Sequence, residues 1–254
     1  MKDVIFTVKK NVPLTKNVYE MTLYGDTSDI TRPGQFVNVK LDGLYLRRPI
    51  SVCEKIRDKL ILVYKVVGAG TEQMAKLQKG AELSVLTGLG NGYDISVSGE
   101  YPLLIGGGVG VPPLYMLAGK LLELDIHPSV IIGFNTKDEV FYEKEFSRLG
   151  VPVEVTTVDG SYGTKGFVTD VLEQYFVTDD IDPYEPTYYY ACGPLPMLKA
   201  VYKTCRTSGQ LSFEERMGCG FGACMGCSCK TITGYKRICK DGPVLYKEEI
   251  LWEK

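Results

Sequence analysis

The chain has 254 residues, enough for two compact domains that each bury a core. Its 29 basic and 31 acidic residues nearly balance, which argues against a nucleic-acid-binding surface, and its single histidine excludes Rieske centres and multi-histidine metal sites. Eight cysteines and no apparent export signal predict a reducing compartment, the cytoplasm, where thiolates can bind metal.

Short alternating runs of apolar and polar residues fill the first 98 residues, a pattern typical of strands. Turn signals at 33–34 and 42–43 separate these runs at the spacing of a small antiparallel barrel. One helix is predicted at 71–77, with Thr71 as its N-cap. The predicted strands lie at 4–8, 18–23, 36–39 and 60–64.

A candidate flavin site lies at the start of a further strand in this barrel half. We expect Arg48 and Ser51 of the run R-R-P-I-S to share one side of that strand, with the guanidinium for a diphosphate and the hydroxyl for a flavin edge. The run alone is equally typical of surface arginines. The segment V-Y-K at 63–65 and the loop G-A-G-T at 68–71, whose amides open a helix, favour a flavin dinucleotide.

From about residue 100 the pattern changes to apolar strands alternating with helical stretches, which predicts a parallel α/β sheet. A glycine loop, G-G-G-V-G at 106–110, follows the first of these strands, and a helix begins at Pro113. The predicted strands lie at 101–105, 130–134, 153–158 and 187–191.

A candidate nucleotide site is predicted at the carboxyl edge of this sheet, where α/β proteins bind ligands. A tight strand–helix turn and a buried structural cysteine are the alternative interpretations of its two segments. The candidate residues are Gly107, Gly108, Gly110, Cys192 and Gly193.

The loop after the second strand of the sheet bears on the choice of nucleotide. Asp138 and Glu139 favour NAD⁺ because carboxylates repel a 2′-phosphate. The neighbouring Lys137 works against this choice, and all three charges are also typical of a solvated loop. The loop therefore favours NAD⁺ over NADP⁺, with a merely solvated loop as the alternative interpretation of its charges.

A cysteine cluster near the C-terminus has the spacing Cys219-x4-Cys224-x2-Cys227 followed by Cys239, which is typical of a plant-type [2Fe–2S] site. Small residues within the run suit a loop that wraps a cluster. Zinc is disfavoured because no second C-x2–4-C knuckle surrounds Cys239. Cys229 is a second candidate for the third ligand, although the spacing favours Cys227.

Together these motifs resemble the ferredoxin–NADP reductase superfamily, which has an Arg-x-[Tyr/Phe]-[Ser/Thr] flavin motif, a Gly-Gly-[Thr/Val]-Gly loop and a late Cys-Gly-Pro. Within it, the runs R-R-P-I-S, G-A-G-T and C-G-F-G-A-C-M-G-C-S-C-K with C-K-D-G-P-V are similar to the electron-transfer subunits of class B dihydroorotate dehydrogenases. The likeness covers essentially the whole chain. It departs at Ile50, where the superfamily usually has an aromatic residue, so another group is expected to stack on the flavin.

The resemblance implies which residues bind each cofactor. The implied FAD contacts are Arg48, Pro49, Ile50, Ser51, Val63, Tyr64, Lys65, Gly70 and Thr71. The implied cluster ligands are Cys219, Cys224, Cys227 and Cys239.

The resemblance also implies a partner, a barrel-fold subunit that holds FMN and oxidises dihydroorotate to orotate in pyrimidine biosynthesis. Electrons would pass through the [2Fe–2S] cluster to FAD and leave as hydride to NAD⁺, in an assembly with two of each subunit. No catalytic acid–base pair is evident in the chain itself, as expected of a subunit that another subunit serves. The alternatives are the corresponding subunits of a ferredoxin:NAD(P) oxidoreductase or a sulfhydrogenase, or a non-enzymatic zinc-binding interaction module.

The sequence thus predicts a β plus α/β architecture in three parts. An N-terminal antiparallel FAD-binding barrel is expected over 1–98 and a parallel-sheet NAD-binding domain over 99–210. A small [2Fe–2S] segment with little room for a core of its own is expected over 211–254.

Overall fold

The computed structural model describes residues 1–176 and 185–252, and six antiparallel strands close into a barrel at its N-terminal end. Their order around the barrel is β1-β2-β5-β4-β3-β6, so no edge of this sheet is left unpaired. All four strands predicted from alternation are present. The barrel strands are β1 (Lys2–Pro13), β2 (Val18–Tyr24), β3 (Phe36–Val39), β4 (Arg48–Ile56), β5 (Lys59–Lys65) and β6 (Glu82–Leu89).

Helix α1 (Ala69–Ala75) closes one end of the barrel, where Met74 packs into the barrel core. The predicted N-cap at Thr71 was wrong, because the cap residue is Gly68 and the helix begins two residues earlier. Thr71 is the third helical residue, and its hydroxyl reaches back to accept the N–H groups of Val67 and Gly68. A threonine can therefore secure a helix start without being the cap itself.

In the part of the chain that the structure describes, seven strands form the second sheet, in the order β10-β9-β8-β7-β11-β12-β15. All neighbours pair in parallel except β12 and β15. The expected parallel α/β sheet is confirmed, with the chain order reversing on either side of β7. Its strands are β7 (Pro102–Gly107), β8 (Ser129–Phe134), β9 (Val153–Thr157), β10 (Thr164–Lys165), β11 (Tyr188–Cys192), β12 (Gly209–Ser212) and β15 (Val244–Tyr246).

Within residues 1–176 and 185–252, four α-helices accompany this sheet. The helix expected to begin at Pro113 begins at Pro112, consistent with the tolerance for proline in a first helical turn. No helix of the described ranges is long and apolar enough to cross a membrane. The helices are α2 (Pro112–Leu122), α3 (Glu143–Arg148), α4 (Val168–Leu172) and α5 (Leu195–Thr204).

The C-terminal segment is built onto the second sheet. A short hairpin, β13 (Ser228–Thr231) with β14 (Gly234–Arg237), precedes β15, which pairs antiparallel with β12. Ile238 and Leu245 are buried in the same core cluster as Leu211 of β12. The C-terminal segment therefore shares the hydrophobic core of the second sheet. Strand β12 extends across residue 210, where the boundary between these two parts was predicted.

A buried polar chain joins the barrel to the second sheet. The Cys53 thiol on β4 donates to the Tyr142 hydroxyl at 3.0 Å, and that hydroxyl donates to the Glu20 carboxylate on β2 at 3.2 Å. Tyr142 has a left-handed backbone, with φ of 69°, where it caps α3. A non-glycine residue holds this conformation only when its surroundings fix it, and here the barrel does so.

Candidate cofactor-binding sites

The flavin segment predicted at the start of β4 lies against the loop G-A-G-T at 68–71. A Cβ atom at Gly70 would collide with the guanidinium of Arg48, so only glycine lets this side chain lie against the first turn of α1. Arg48 also donates to the Leu46 carbonyl, and it remains half-buried. The two motifs therefore form one cationic corner at the end of the barrel, which fits the diphosphate of a dinucleotide.

The expectation that Arg48 and Ser51 share one side of β4 was wrong. Arg48 lies opposite Val39 of β3, which faces the barrel core, whereas Ser51 lies opposite Phe36, which faces the second sheet. Side chains alternate along a strand, so an offset of three residues places them on opposite faces. The guanidinium and the hydroxyl can still reach two different parts of one extended ligand.

The remaining flavin-segment residues differ in what they can offer. Ile50 is half-buried and packs against the barrel core, and Tyr64 is buried there with its hydroxyl donating to Asn11 at 2.9 Å. Burial is the main reason that the pKa of Tyr64 is raised. Val63 packs at the junction with the second sheet, and Lys65, at the end of β5, is half-buried. The Tyr64 side chain is therefore occupied within the barrel core.

The predicted nucleotide residues come together at the carboxyl ends of β7 and β11. These strands pair directly, with Gly106 opposite Cys192. A Cβ at Gly110 would collide with the carbonyl of Cys192, and a Cβ at Gly107 would collide with Met197. Close packing against backbone requires glycine at position 110, and both strand ends lie where the chain order reverses, the place at which open α/β sheets form a ligand-binding crevice.

Two further glycines complete this crevice. Gly108 has φ of +52°, and the space where its Cβ would lie is open. At Gly193 a Cβ would lie 3.2 Å from the amide nitrogen of Gly107, so the two glycine segments are in direct contact. A ligand can therefore approach backbone on both sides of the crevice.

Cys192 lies at the wall of this crevice as a neutral thiol. Burial raises its pKa to about 12, which outweighs the opposing hydrogen bond with Ser212. Tyr93 lies beside it, with its hydroxyl donating to the Ala191 carbonyl at 3.3 Å. A thiol of this kind lines a pocket and is no nucleophile at neutral pH.

Residues of the acidic loop after β8 form hydrogen bonds within this loop and with the loop after β9. The Glu139 carboxylate accepts from Asn135 Nδ2 at 2.8 Å, while Asp138 is exposed. The backbone N–H of Lys137 donates to Ser161, which ties this loop to the one after β9. Negative charge therefore lies at the carboxyl end of β8, where a nucleotide ribose would lie.

The four candidate cluster ligands form two pairs. The amide of Cys224 donates to Cys219 Sγ at 3.5 Å, and the amide of Cys239 donates to Cys227 Sγ at 3.4 Å. Cys224 is exposed, whereas Cys227 and Cys239 are each 2% exposed. In the described residues no group of three or more His, Cys, Asp or Glu side chains is placed to hold a single metal ion. A [2Fe–2S] cluster takes two thiolates on each iron, which suits two pairs.

The backbone around Cys219 favours a thiolate. Burial raises its pKa, but hydrogen bonds from the amides of Cys224, Phe221 and Ala223 outweigh burial and lower the pKa to about 6. The Ala223 amide nitrogen lies 3.2 Å from Cys219 Sγ. Amides directed at sulfur are the arrangement by which a protein stabilises an iron–sulfur cluster.

The ion pair between Arg237 and Asp241 holds the cysteine loop through its contact with the Gly222 carbonyl. Arg237 Nε donates to Asp241 Oδ2 at 2.9 Å, and Arg237 Nη1 donates to the Gly222 carbonyl at 3.0 Å. Gly220 and Gly222 both have positive φ, as the tight loop requires. Cys229 lies on β13, outside this loop, and burial raises its pKa.

Sequence reasoning missed two residues that shape these sites. Asn38 on β3 lies between the flavin strand and the cysteine loop, and Tyr142 joins the two halves of the molecule. An asparagine within an apolar strand run is the one local signal for the first of these. Nothing near Tyr142 in the sequence points to partners 89 and 122 residues away.

Two family models match the chain. One is described as the iron-sulfur cluster binding domain of dihydroorotate dehydrogenase B and matches residues 214–251. The other is described as an oxidoreductase NAD-binding domain and matches residues 104–203. The matches cover the cysteine loop and the glycine crevice described above.

Curated relatives match nearly the whole chain. A protein of Fusobacterium nucleatum named dihydroorotate dehydrogenase B (NAD(+)), electron transfer subunit, is 45% identical, with 96% of each chain covered. A protein of the same name from Geobacillus sp. (strain WCH70) is 42% identical, with 99% of each chain covered.

Solved structures share the architecture. The structure described as the NADH-dependent reduced ferredoxin-NADP oxidoreductase, studied for flavin-based electron bifurcation, superposes with a TM-score of 0.86 at 30% identity, covering 97% of this chain and 90% of that one. An Amycolatopsis cytochrome P450 reductase superposes with a TM-score of 0.68 at 20% identity, covering 80% of this chain and 65% of that one, which shows a shared fold.

Proposed function

Because the chain belongs to the family of dihydroorotate dehydrogenase B electron-transfer subunits, we propose that it carries electrons from the FMN of a dihydroorotate dehydrogenase catalytic subunit through a [2Fe–2S] cluster and FAD to NAD⁺. The observation that supports this most is the position of Phe36. It shares a core cluster with Cys227 and Cys239, and it pairs directly with Ser51 of the flavin strand. Phe36 therefore connects the flavin strand to the buried core that contains two of the candidate cluster ligands.

FAD exchanges electron pairs with NAD⁺ as hydride and single electrons with an iron–sulfur cluster, and that chemistry belongs to the cofactor. The chain supplies position. In our proposal Arg48 binds the FAD diphosphate, with Gly70 and Thr71 shaping the turn beneath it. The other proposed FAD contacts are Pro49, Ile50, Ser51, Val63, Tyr64 and Lys65.

The nucleotide and cluster sites are assigned on the same basis. Close packing of the glycine crevice supports NAD⁺ binding between the two strand ends. The contacts within the pairs Cys219–Cys224 and Cys227–Cys239 support two thiolates on each iron. The proposed NAD⁺ contacts are Gly107, Gly108, Gly110, Cys192 and Gly193. The proposed cluster ligands are Cys219, Cys224, Cys227 and Cys239.

We assign 1–98 to FAD, 99–210 to NAD⁺ and 211–254 to the cluster. Because the C-terminal segment shares the core of the second sheet, the last two parts fold as one unit. A cytoplasmic location remains a prediction from the cysteine content.

The partner in this proposal is an FMN-containing catalytic subunit, two copies of which assemble with two of this chain for pyrimidine biosynthesis. Cys224 is exposed, and the adjacent Phe221 and Met225 are 44% and 52% exposed. Exposed apolar residues of this kind suit the centre of a protein interface. We place the catalytic subunit over this loop, where the path for electrons is short.

The test is reconstitution of the whole reaction. The chain and an FMN-type dihydroorotate dehydrogenase subunit from the same organism are co-expressed and purified without oxygen. We expect dihydroorotate-dependent formation of NADH that is lost in Cys224→Ser and kept in Cys229→Ser.

One solved structure favours a second candidate function, because the reduced ferredoxin-NADP oxidoreductase superposes over nearly the whole chain. A flavin- and iron-containing protein that accepts electrons from reduced ferredoxin, and makes no NADH from dihydroorotate, would overturn our proposal in favour of that alternative.

A further inference from the structure

The side chain of Asn38 is a buried amide at the boundary between the barrel and the cysteine loop. Asn38 is 1% exposed in β3. Its Oδ1 has no hydrogen-bond partner within residues 1–176 and 185–252. Nearly all buried polar atoms in proteins are paired, and an apolar side chain of the same size would avoid the desolvation cost. This amide therefore needs an explanation other than packing.

The cysteine loop rests directly on this amide. A Cβ at Gly220 would collide with Asn38 Nδ2, and Gly220 has φ of +79°. Gly220 follows the candidate ligand Cys219, so a shift of Asn38 would move the ligand backbone. Phe36 faces the same side of β3 and packs in one core cluster with Cys227 and Cys239.

The other side of Asn38 is fixed by the flavin strand. Asn38 lies opposite Pro49 of β4, and proline has no N–H to donate. The Asn38 carbonyl instead accepts from Arg47 Nη1 at 3.3 Å. Arg47 is in turn paired with Asp3 at 2.6 Å. The backbone of Asn38 is thus anchored next to Arg48 while its side chain supports the cysteine loop.

We infer that Asn38 is a positioning residue that fixes the cysteine loop at a set distance from the flavin strand, and so sets the rate at which a single electron passes between the two sites. This inference rests on the proposed function. It follows because the rate of electron transfer falls steeply with distance, and the Asn38 side chain lies against the backbone of Gly220, next to Cys219.

The test uses the full chain with FAD and cluster bound, in the variants Asn38→Leu and Asn38→Ser. The matched control is Thr87→Val, which removes a buried hydroxyl from the adjacent strand β6, one residue beyond Leu86, the β6 residue that pairs with Asn38. NADH is mixed with each protein without oxygen. Flavin bleaching and cluster reduction are followed separately, and the EPR spectrum and midpoint potential of the cluster are recorded.

We expect both Asn38 variants to bleach the flavin at the wild-type rate but to reduce the cluster at least about tenfold more slowly. Their cluster EPR spectra should change, whereas Thr87→Val should match the wild type in every measurement. Wild-type cluster kinetics and EPR spectra in both Asn38 variants would overturn the inference. A wild-type protein that lacks a cluster, or whose flavin NADH does not bleach, would instead refute the proposed function.

Discussion

At the scale of single residues, Gly70 shows how a missing side chain can make a binding site. Only glycine lets the Arg48 guanidinium lie against the first turn of α1. We expect Gly70→Ala to displace Arg48 and to weaken FAD binding by about tenfold, or about 1.4 kcal/mol, measured by titrating apoprotein with FAD.

The matched control for this change is Gly119→Ala. Gly119 lies within α2, where a Cβ would meet open space. Alanine there should leave FAD affinity unchanged and stabilise the protein by about 0.5–1 kcal/mol, because glycine disfavours helix. Unchanged affinity in Gly70→Ala would contradict the assigned position of the diphosphate.

The choice between Cys227 and Cys229 can also be tested one residue at a time. Cys227 is paired with Cys239 and accepts the Cys239 amide at 3.4 Å, whereas Cys229 lies on β13. We expect Cys227→Ser to lose the [2Fe–2S] EPR signal and most of the bound iron, and Cys229→Ser to keep both. The reverse outcome would reassign the third ligand.

Much of this residue-scale detail could be predicted from sequence, because ligand spacing and glycine loops are local patterns. The prediction failed where three-dimensional geometry decides which side chains lie together. Strand alternation separates Arg48 from Ser51, and the contact between Asn38 and Gly220 joins residues 182 positions apart in the printed sequence. No local pattern reports such a contact.

At the scale of elements, the chain from Cys53 through Tyr142 to Glu20 holds β4, α3 and β2 together. We expect Tyr142→Phe to lower the free energy of unfolding by about 1–3 kcal/mol, because it leaves buried polar partners unsatisfied. Urea unfolding measures the change. Tyr24→Phe, at an exposed position on β2, should stay within about 0.5 kcal/mol of the wild type.

The link between β1 and the segment before β4 should depend on pH. The hydrogen bond from Arg47 is the largest influence on the pKa of Asp3 and lowers it, although burial opposes this effect. A carboxylate whose pKa is lowered by folding stabilises the fold above its ordinary pKa, and this stabilisation is lost as the pH falls through the folded value.

We therefore expect the difference in unfolding free energy between wild type and Asp3→Asn to be constant from about pH 5 to 7 and to shrink below about pH 4. Urea unfolding at each pH measures it. A difference that grew on acidification would contradict this account.

The secondary-structure elements were predictable where burial imposes a regular pattern of apolar residues on the sequence. Alternation identified four barrel strands, and apolar runs identified the central strands of the second sheet. The pairing of β15 with β12 was not predictable, because a three-residue strand carries no pattern of its own. Its position is decided by the core that Leu245 and Leu211 share.

At the scale of the whole molecule, our proposal places the catalytic subunit over the cysteine loop. We expect Met225→Gln to weaken binding to the catalytic subunit by about tenfold, since an exposed apolar side chain at the centre of an interface contributes most of its energy when desolvated. Tyr24→Gln is the control, because it changes an exposed aromatic residue on the barrel.

Surface plasmon resonance or isothermal titration calorimetry on the purified subunits measures the affinity of each variant for the catalytic subunit. Equal affinities for wild type and Met225→Gln, with a loss in Tyr24→Gln, would move the interface to the barrel.

The most direct test of the central claim is an anaerobic titration of the purified complex with dihydroorotate in the absence of NAD⁺, followed by EPR. The account predicts that dihydroorotate alone reduces the [2Fe–2S] cluster of this chain, and that Cys224→Ser shows no such signal. A cluster that stays oxidised while the FMN of the partner is fully reduced would contradict it.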